Sequence, residues 1–181
     1  DLLILINFLF SKPFVIQGQT QSKVEKLFSY LVAKAVSRIS TYSKINGALS
    51  PAYAESIHKK HHGEWDFNLD WKPIKGFPTY FMWVVAIAEA QKKLKHSNIT
   101  VPILVMHSAH SSKISKFSEE AMSKDIVLNI EDIKRVGQEL GDKVTLMKIE
   151  NAQHDIFLSP KEVREAAFEK MFFWLKGKGI N

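Results

Sequence analysis

Two short apolar runs constrain this chain more than any other feature. Residues 99–108, ITVPILVMHS, form an almost unbroken aliphatic and β-branched stretch of strand length, and residues 144–150, VTLMKIE, form a second. A strand with one wet face alternates polar and apolar residues, so runs without alternation belong to parallel strands buried on both faces. Between them lies IEDIKRVGQELG, whose periodicity predicts a helix closed by Gly141, preceded by SKFSEEAMSK and the apolar turn DIVLNI. Strand, helix, strand is the unit of a parallel α/β sheet. After the second run, NAQHDIFLS leads into PKEVREAAFEKMFFWLK, a terminal helix with Pro160 in its first turn and Ser159 as its expected cap.

The opening DLLILINFLF reads as a third buried strand over residues 2–10. It is too short to span a bilayer, and it lacks the basic flank and small-residue cleavage site of a leader. Because a buried parallel strand needs neighbours on both sides, the polypeptide is expected to continue upstream of Asp1. In QSKVEKLFSYLVAKAVSRIS, Val24, Leu27, Phe28, Leu31, Val32, Ala35, Val36 and Ile39 recur at helical spacing, with Ser22 and Glu25 as a capping box. Residues 41–79, bounded by prolines and holding Trp65 and Trp71, read as loop with short helices. A further helix is expected from Tyr80 to about Lys95.

With 181 residues, 45% of them hydrophobic, the chain can bury one core, and one domain is the default. Its net charge of +6 comes from 25 Lys and Arg scattered among 19 acids. That lacks the block or stripe of a nucleic-acid binder, so a generic basic surface and no nucleic-acid partner are expected. There is no cysteine, which excludes disulfides, thiolate nucleophiles and cysteine-ligated zinc and agrees with a cytoplasmic setting. His58, His61 and His62, with Glu64 or Asp66, have metal-ligand spacing if helical, but the intervening lysines and Gly63 favour a solvated turn. No metal and no cofactor are expected. Trp65, Phe67, Trp71, Phe77, Tyr80, Phe81 and Trp83 are read as packing residues rather than a base-stacking surface.

His154 lies just past the C-terminal end of a predicted parallel strand, where ligand chemistry gathers in α/β sheets. A histidine there can act as a general base if an acid fixes its tautomer and a nucleophile is within reach. Three carboxylates compete for the acid. Asp125 precedes an apolar turn, so its backbone can pack while its carboxylate enters a crevice; it can equally cap that turn by bonding backbone amides. Asp132 has the position of a first-turn helix residue. Asp155 adjoins the histidine, and neighbours on a tight loop usually point apart.

These residues carry a resemblance. The strand DLLILI followed by SKPF, the segment GALSPAYAESIHKKHHGEWDFNLDWKPIKGFPTYFMWVVAIAEAQ, and then VPILVMHS, DIVLNIEDI and HDIFLS are similar to the C-terminal half of a bacterial serine hydrolase of the α/β-hydrolase superfamily. The nearest group is that of the serine aminopeptidases and monoacylglycerol lipases. The resemblance implies an α/β fold: the C-terminal part of a parallel sheet flanked by helices, with residues 1–12 and 98–181 as core and 13–97 as a helical cap or lid. It implies Asp125 as triad acid and His154 as base, with the nucleophilic serine on a G-x-S-x-G turn. No such turn occurs here, since GALSP and GQTQS both have the wrong spacing, so the serine is expected upstream. The implied substrate is a small apolar ester or an acylglycerol, cleaved without a cofactor. One departure is an inserted loop, from about Ser111 to Lys124, between strand and acid. The alternative is a noncatalytic hydrolase-fold protein binding an apolar ligand or a partner, its open sheet edge covered by a second copy as a homo-oligomer.

Overall fold

The computed structural model describes residues 3–6, 23–45, 50–94 and 99–180. Three strands, β1 (Leu3–Ile6), β2 (Ile103–Ser108) and β3 (Val144–Ile149), form one parallel sheet in the order β1-β2-β3. Leu3 pairs with Ile103 on one side of β2, while Val144 pairs with Ile103 and Ile149 with Ser108 on the other. Every residue of central β2 is buried, which accounts for its lack of alternation. Ile103 and Val105 face a layer containing Leu128, Ile133 and Leu140, whereas Leu104 and Met106 face Ile149, Ala152, Ile156 and Ala167. Helix α4 (Ile130–Gln138) supplies the first layer and α5 (Lys161–Gly177) the second. The chain thus has the parallel sheet with flanking helices that its two apolar runs require.

Asn129 caps α4, its side chain accepting from Glu131 N at 2.9 Å. Beyond α4, Gly141 passes so close to the chain entering β2 that a Cβ there would lie 2.2 Å from the Ile99 carbonyl oxygen. Gly141→Ala is therefore expected to cost about 1–3 kcal/mol, read as a lower urea midpoint with an unchanged slope. At α5 the expected cap is corrected. Pro160 occupies the cap position, and the buried Ser159 hydroxyl instead accepts from Gln153 N at 2.9 Å. The open helix end is met from elsewhere in the chain, where Glu64 accepts from Lys161 N at 3.3 Å and pairs with Arg164 at 2.5 Å.

Helix α1 (Lys23–Ile39) packs on α3 (Phe81–Leu94) through Ala33, Val84 and Val85, with Tyr30, Ile45 and Phe81 around them. The helical periodicity is right, and most of the apolar residues that carry it lie outside this contact. Leu27, Phe28, Leu31 and Val32 are exposed, and Ile39 is 88% exposed. The contact with α3 forms on the side of α1 that carries Ala33. Ser22 and residues 7–10 lie outside the described residues, and so does the proposed capping box as a unit. The stretch from 50 to 80 is turns around one short helix, α2 (Ala52–Ile57), as its prolines suggest. SKFSEEAMSK contains a single 3-10 turn, Glu119–Met122.

Candidate active site

Two loops at the C-terminal edge of the sheet build the site. After β3 the chain turns through Asn151, whose left-handed backbone (φ 55°) a short polar side chain tolerates. Ala109 N donates to Ile149 O at 2.9 Å, and the Ser108 hydroxyl lies 2.7 Å from Ala152 O. These bonds tie the histidine loop to the end of β2. Gln153, buried, reaches from this loop to Ser56 O at 3.2 Å. His154 follows with its imidazole only 14% exposed.

The acid arrives by a detour that closes on itself. Asp125 N donates to His110 O and Ser112 N to Asp125 O, both at 2.9 Å, so residues 111 and 125 form a parallel bridge beside the end of β2. The inserted loop leaves and returns at one place. The wholly buried carboxylate accepts from Val127 N at 2.8 Å and Leu128 N at 2.7 Å through Oδ1, which explains why an aspartate opens the apolar turn. It also faces His154 Nδ1, at 3.1 Å from Oδ1 and 3.0 Å from Oδ2. Asp125 thus caps the turn and meets the histidine at once.

A carboxylate beside Nδ1 selects the tautomer with its proton there, leaving Nε2 as the basic nitrogen. Burial by itself pushes the imidazole pKa down. The hydrogen bond to Asp125, the Asp125 charge and the Asp155 charge together outweigh burial and nearby Lys72, so the His154 pKa is raised above the ordinary histidine value.

The other acids are placed differently. Asp132 sits in the first turn of α4 with Arg135 at 3.3 Å. Asp155 points to Tyr53, whose hydroxyl donates to Oδ2. Tyr53 also meets the His154 ring edge-on, with centroids 5.7 Å apart and planes at 83°. Nothing in the sequence announced Tyr53, which stands on α2 at a separation of 102 residues from Asp155.

The histidine cluster upstream forms the solvated turn expected of it over residues 59–62, all four exposed, but its first histidine departs from that reading. His58 is buried, accepting from Lys60 N at 3.1 Å and lying 3.1 Å from Phe67 O, so both its ring nitrogens are engaged within the protein. His62 stacks on Phe117 at 3.5 Å. Among the described residues no group of three or more metal-ligating side chains converges. Trp65 donates to Leu158 O at 2.8 Å, with Arg164 over its ring, so this segment is fastened to the chain just after His154.

The parallel sheet, with helices on both faces, thus brings His154 and Asp125 together beside the C-terminal ends of β2 and β3. Two solved structures share the fold. One is the Paleococcus ferrophilus monoacylglycerol lipase, with a TM-score of 0.55 and 19% identity over 96% of this chain and 58% of that one. The other is a soluble variant of the Saccharomyces cerevisiae monoglyceride lipase, with a TM-score of 0.50 and 14% identity over 85% of this chain and 48% of that one. The chain therefore spans about half to three fifths of these two proteins. No family model and no curated protein matches the sequence. Among the described residues no helix is long and apolar enough to cross a membrane.

Proposed function

We propose that this chain supplies the acid, Asp125, and the base, His154, of a serine hydrolase acting on carboxylic esters with apolar acyl groups, monoacylglycerols among them. The observation that carries the proposal is the buried Asp125 carboxylate 3.0 Å from His154 Nδ1 at the C-terminal ends of parallel strands. The serine belongs to a G-x-S-x-G turn outside this chain. His154 Nε2 takes the serine proton as its oxygen attacks the ester carbonyl, then returns that proton to the departing alkoxide. Water repeats the cycle on the acyl-enzyme, releasing the acid and restoring the serine. Asp125 holds the imidazole in register and stabilises the imidazolium between the two transfers. Residues 13–97 act as the cap, and the exposed Trp71, Phe77 and Trp83 within that range offer the apolar surface an acyl chain needs.

The test is to treat the full-length protein with a fluorophosphonate and map the adduct, alongside hydrolysis of monoacylglycerol. One labelled serine in a G-x-S-x-G turn upstream of β1, with turnover abolished by the label, is the expected result. Absence of both adduct and turnover overturns the proposal in favour of a noncatalytic binding protein.

A further inference from the structure

Tyr53 and Asp155 stand against the histidine yet take no part in the proton transfers. The tyrosine comes from α2, outside the sheet, and its half-buried ring meets the imidazole edge-on. Its hydroxyl is spent on the Asp155 carboxylate. Lys72 Nζ lies 5.2 Å from the centre of the same ring and 5.4 Å from that of Phe67, so a cation also stands against the tyrosine. The charged groups acting on the imidazole are thus Asp125, Asp155 and Lys72, with the Tyr53 hydroxyl as the uncharged donor among them. A carboxylate next to a histidine on a tight loop ordinarily turns to water; here a hydrogen bond from another element holds it.

We propose that Tyr53 and Asp155 are positioning residues for His154: the tyrosine ring fixes the imidazole plane, and its hydroxyl pins the Asp155 charge where it supports the imidazolium. The inference rests on the reading of Asp125 and His154 as acid and base. Burial, followed by the Asp155 charge and hydrogen bond, raises the Tyr53 pKa far above its usual value, so the hydroxyl stays a donor throughout the working range. The Asp155 charge is also among the causes that raise the His154 pKa. Two carboxylates then share the imidazolium, one bonded to it and one acting through space.

The experiment measures kcat and KM against pH in the full-length enzyme for Tyr53→Phe, Asp155→Asn, the double variant and Asp125→Asn. Asp155→Asn is expected to lower kcat about 10-fold to 100-fold with KM unchanged, the range for losing a charge-assisted hydrogen bond. Its acid limb should move to lower pH, because removing a negative charge makes the imidazolium less favourable. Tyr53→Phe keeps the ring and should shift the limb the same way, and the double variant should be no worse than Asp155→Asn alone. An unmoved limb in Asp155→Asn, or losses that simply add, overturns the inference. Asp125→Asn separates the two ideas. If it alone is inactive and the other variants match wild type, only the positioning role fails; if it too is active, the assignment of Asp125 and His154 fails.

Discussion

Replacing His154 by alanine in the full-length protein is expected to lower kcat for ester hydrolysis by about 10⁴-fold to 10⁶-fold, leaving KM within a few-fold. On the proposed reading the size follows from the base acting twice, once on serine and once on water. His107 has its Nδ1 2.7 Å from Ser108 O and is buried within β2. Steady-state kinetics on a soluble ester decides the matter, and retained turnover would remove His154 from the mechanism. If His154 is the base, the acid limb of kcat/KM in the wild-type protein should lie above the ordinary histidine value of about 6.5, because the raised pKa keeps the imidazole protonated to higher pH.

The same shift has a consequence for stability with a fixed sign. A folded-state pKa raised above the unfolded one means His154 stabilises fully below about 6.5, and that contribution disappears as pH rises through the folded value. His107 works in the opposite direction. Burial lowers its pKa, so its contribution is present above about 6.5 and is lost as pH falls through the lower folded value.

Asp125 should respond differently to two substitutions. Asparagine keeps an oxygen for Val127 N and Leu128 N but turns an amide N–H toward His154 Nδ1. The imidazole must then carry its proton on Nε2, where it can no longer act as a base. The expected loss in kcat is about 10⁴-fold with the fold retained. Alanine removes the acceptor altogether and strands two amide N–H groups of a tightly packed turn, at a cost of about 2–5 kcal/mol. Urea unfolding of both variants checks this; equal stability of Asp125→Ala and wild type would show that the turn does not depend on the carboxylate.

The sheet was the most legible part of this sequence. β2 and β3 announce themselves because burial on both faces forces unbroken apolar runs, and α4 because its apolar spacing is regular. For α1 the spacing foretold the helix but not where its neighbour would pack. Periodicity shows which face is apolar, not which surface is available to pack on, and α3 meets the side that carries Ala33 while Leu27 and Phe28 stay exposed. Ser159 was misread because a hydroxyl next to a helix start has other amides to serve, here Gln153 N. At the candidate site, His154 was legible from its place after a strand. The sequence left Asp125 in competition with Asp132, since only a backbone bridge to residue 111 brings it to the strand end. Tyr53 and the burial of His58 depend on contacts between distant segments, which no local pattern encodes.

That bridge separates two properties that usually travel together. The acid is held by hydrogen bonds among His110, Ser112 and Asp125 at the neck of the loop, while Ile114 and Phe117 pack the loop itself on Ala52, Ala121 and Ile126. Length added at the exposed bend of Ser115 and Lys116, where Ser115 O accepts from the Ser50 hydroxyl at 2.9 Å, is expected to leave the Asp125–His154 distance unchanged in a structure of the variant. A descendant of this chain could acquire a new surface there, or a protein engineer graft a reporter, while the neck keeps Asp125 beside His154.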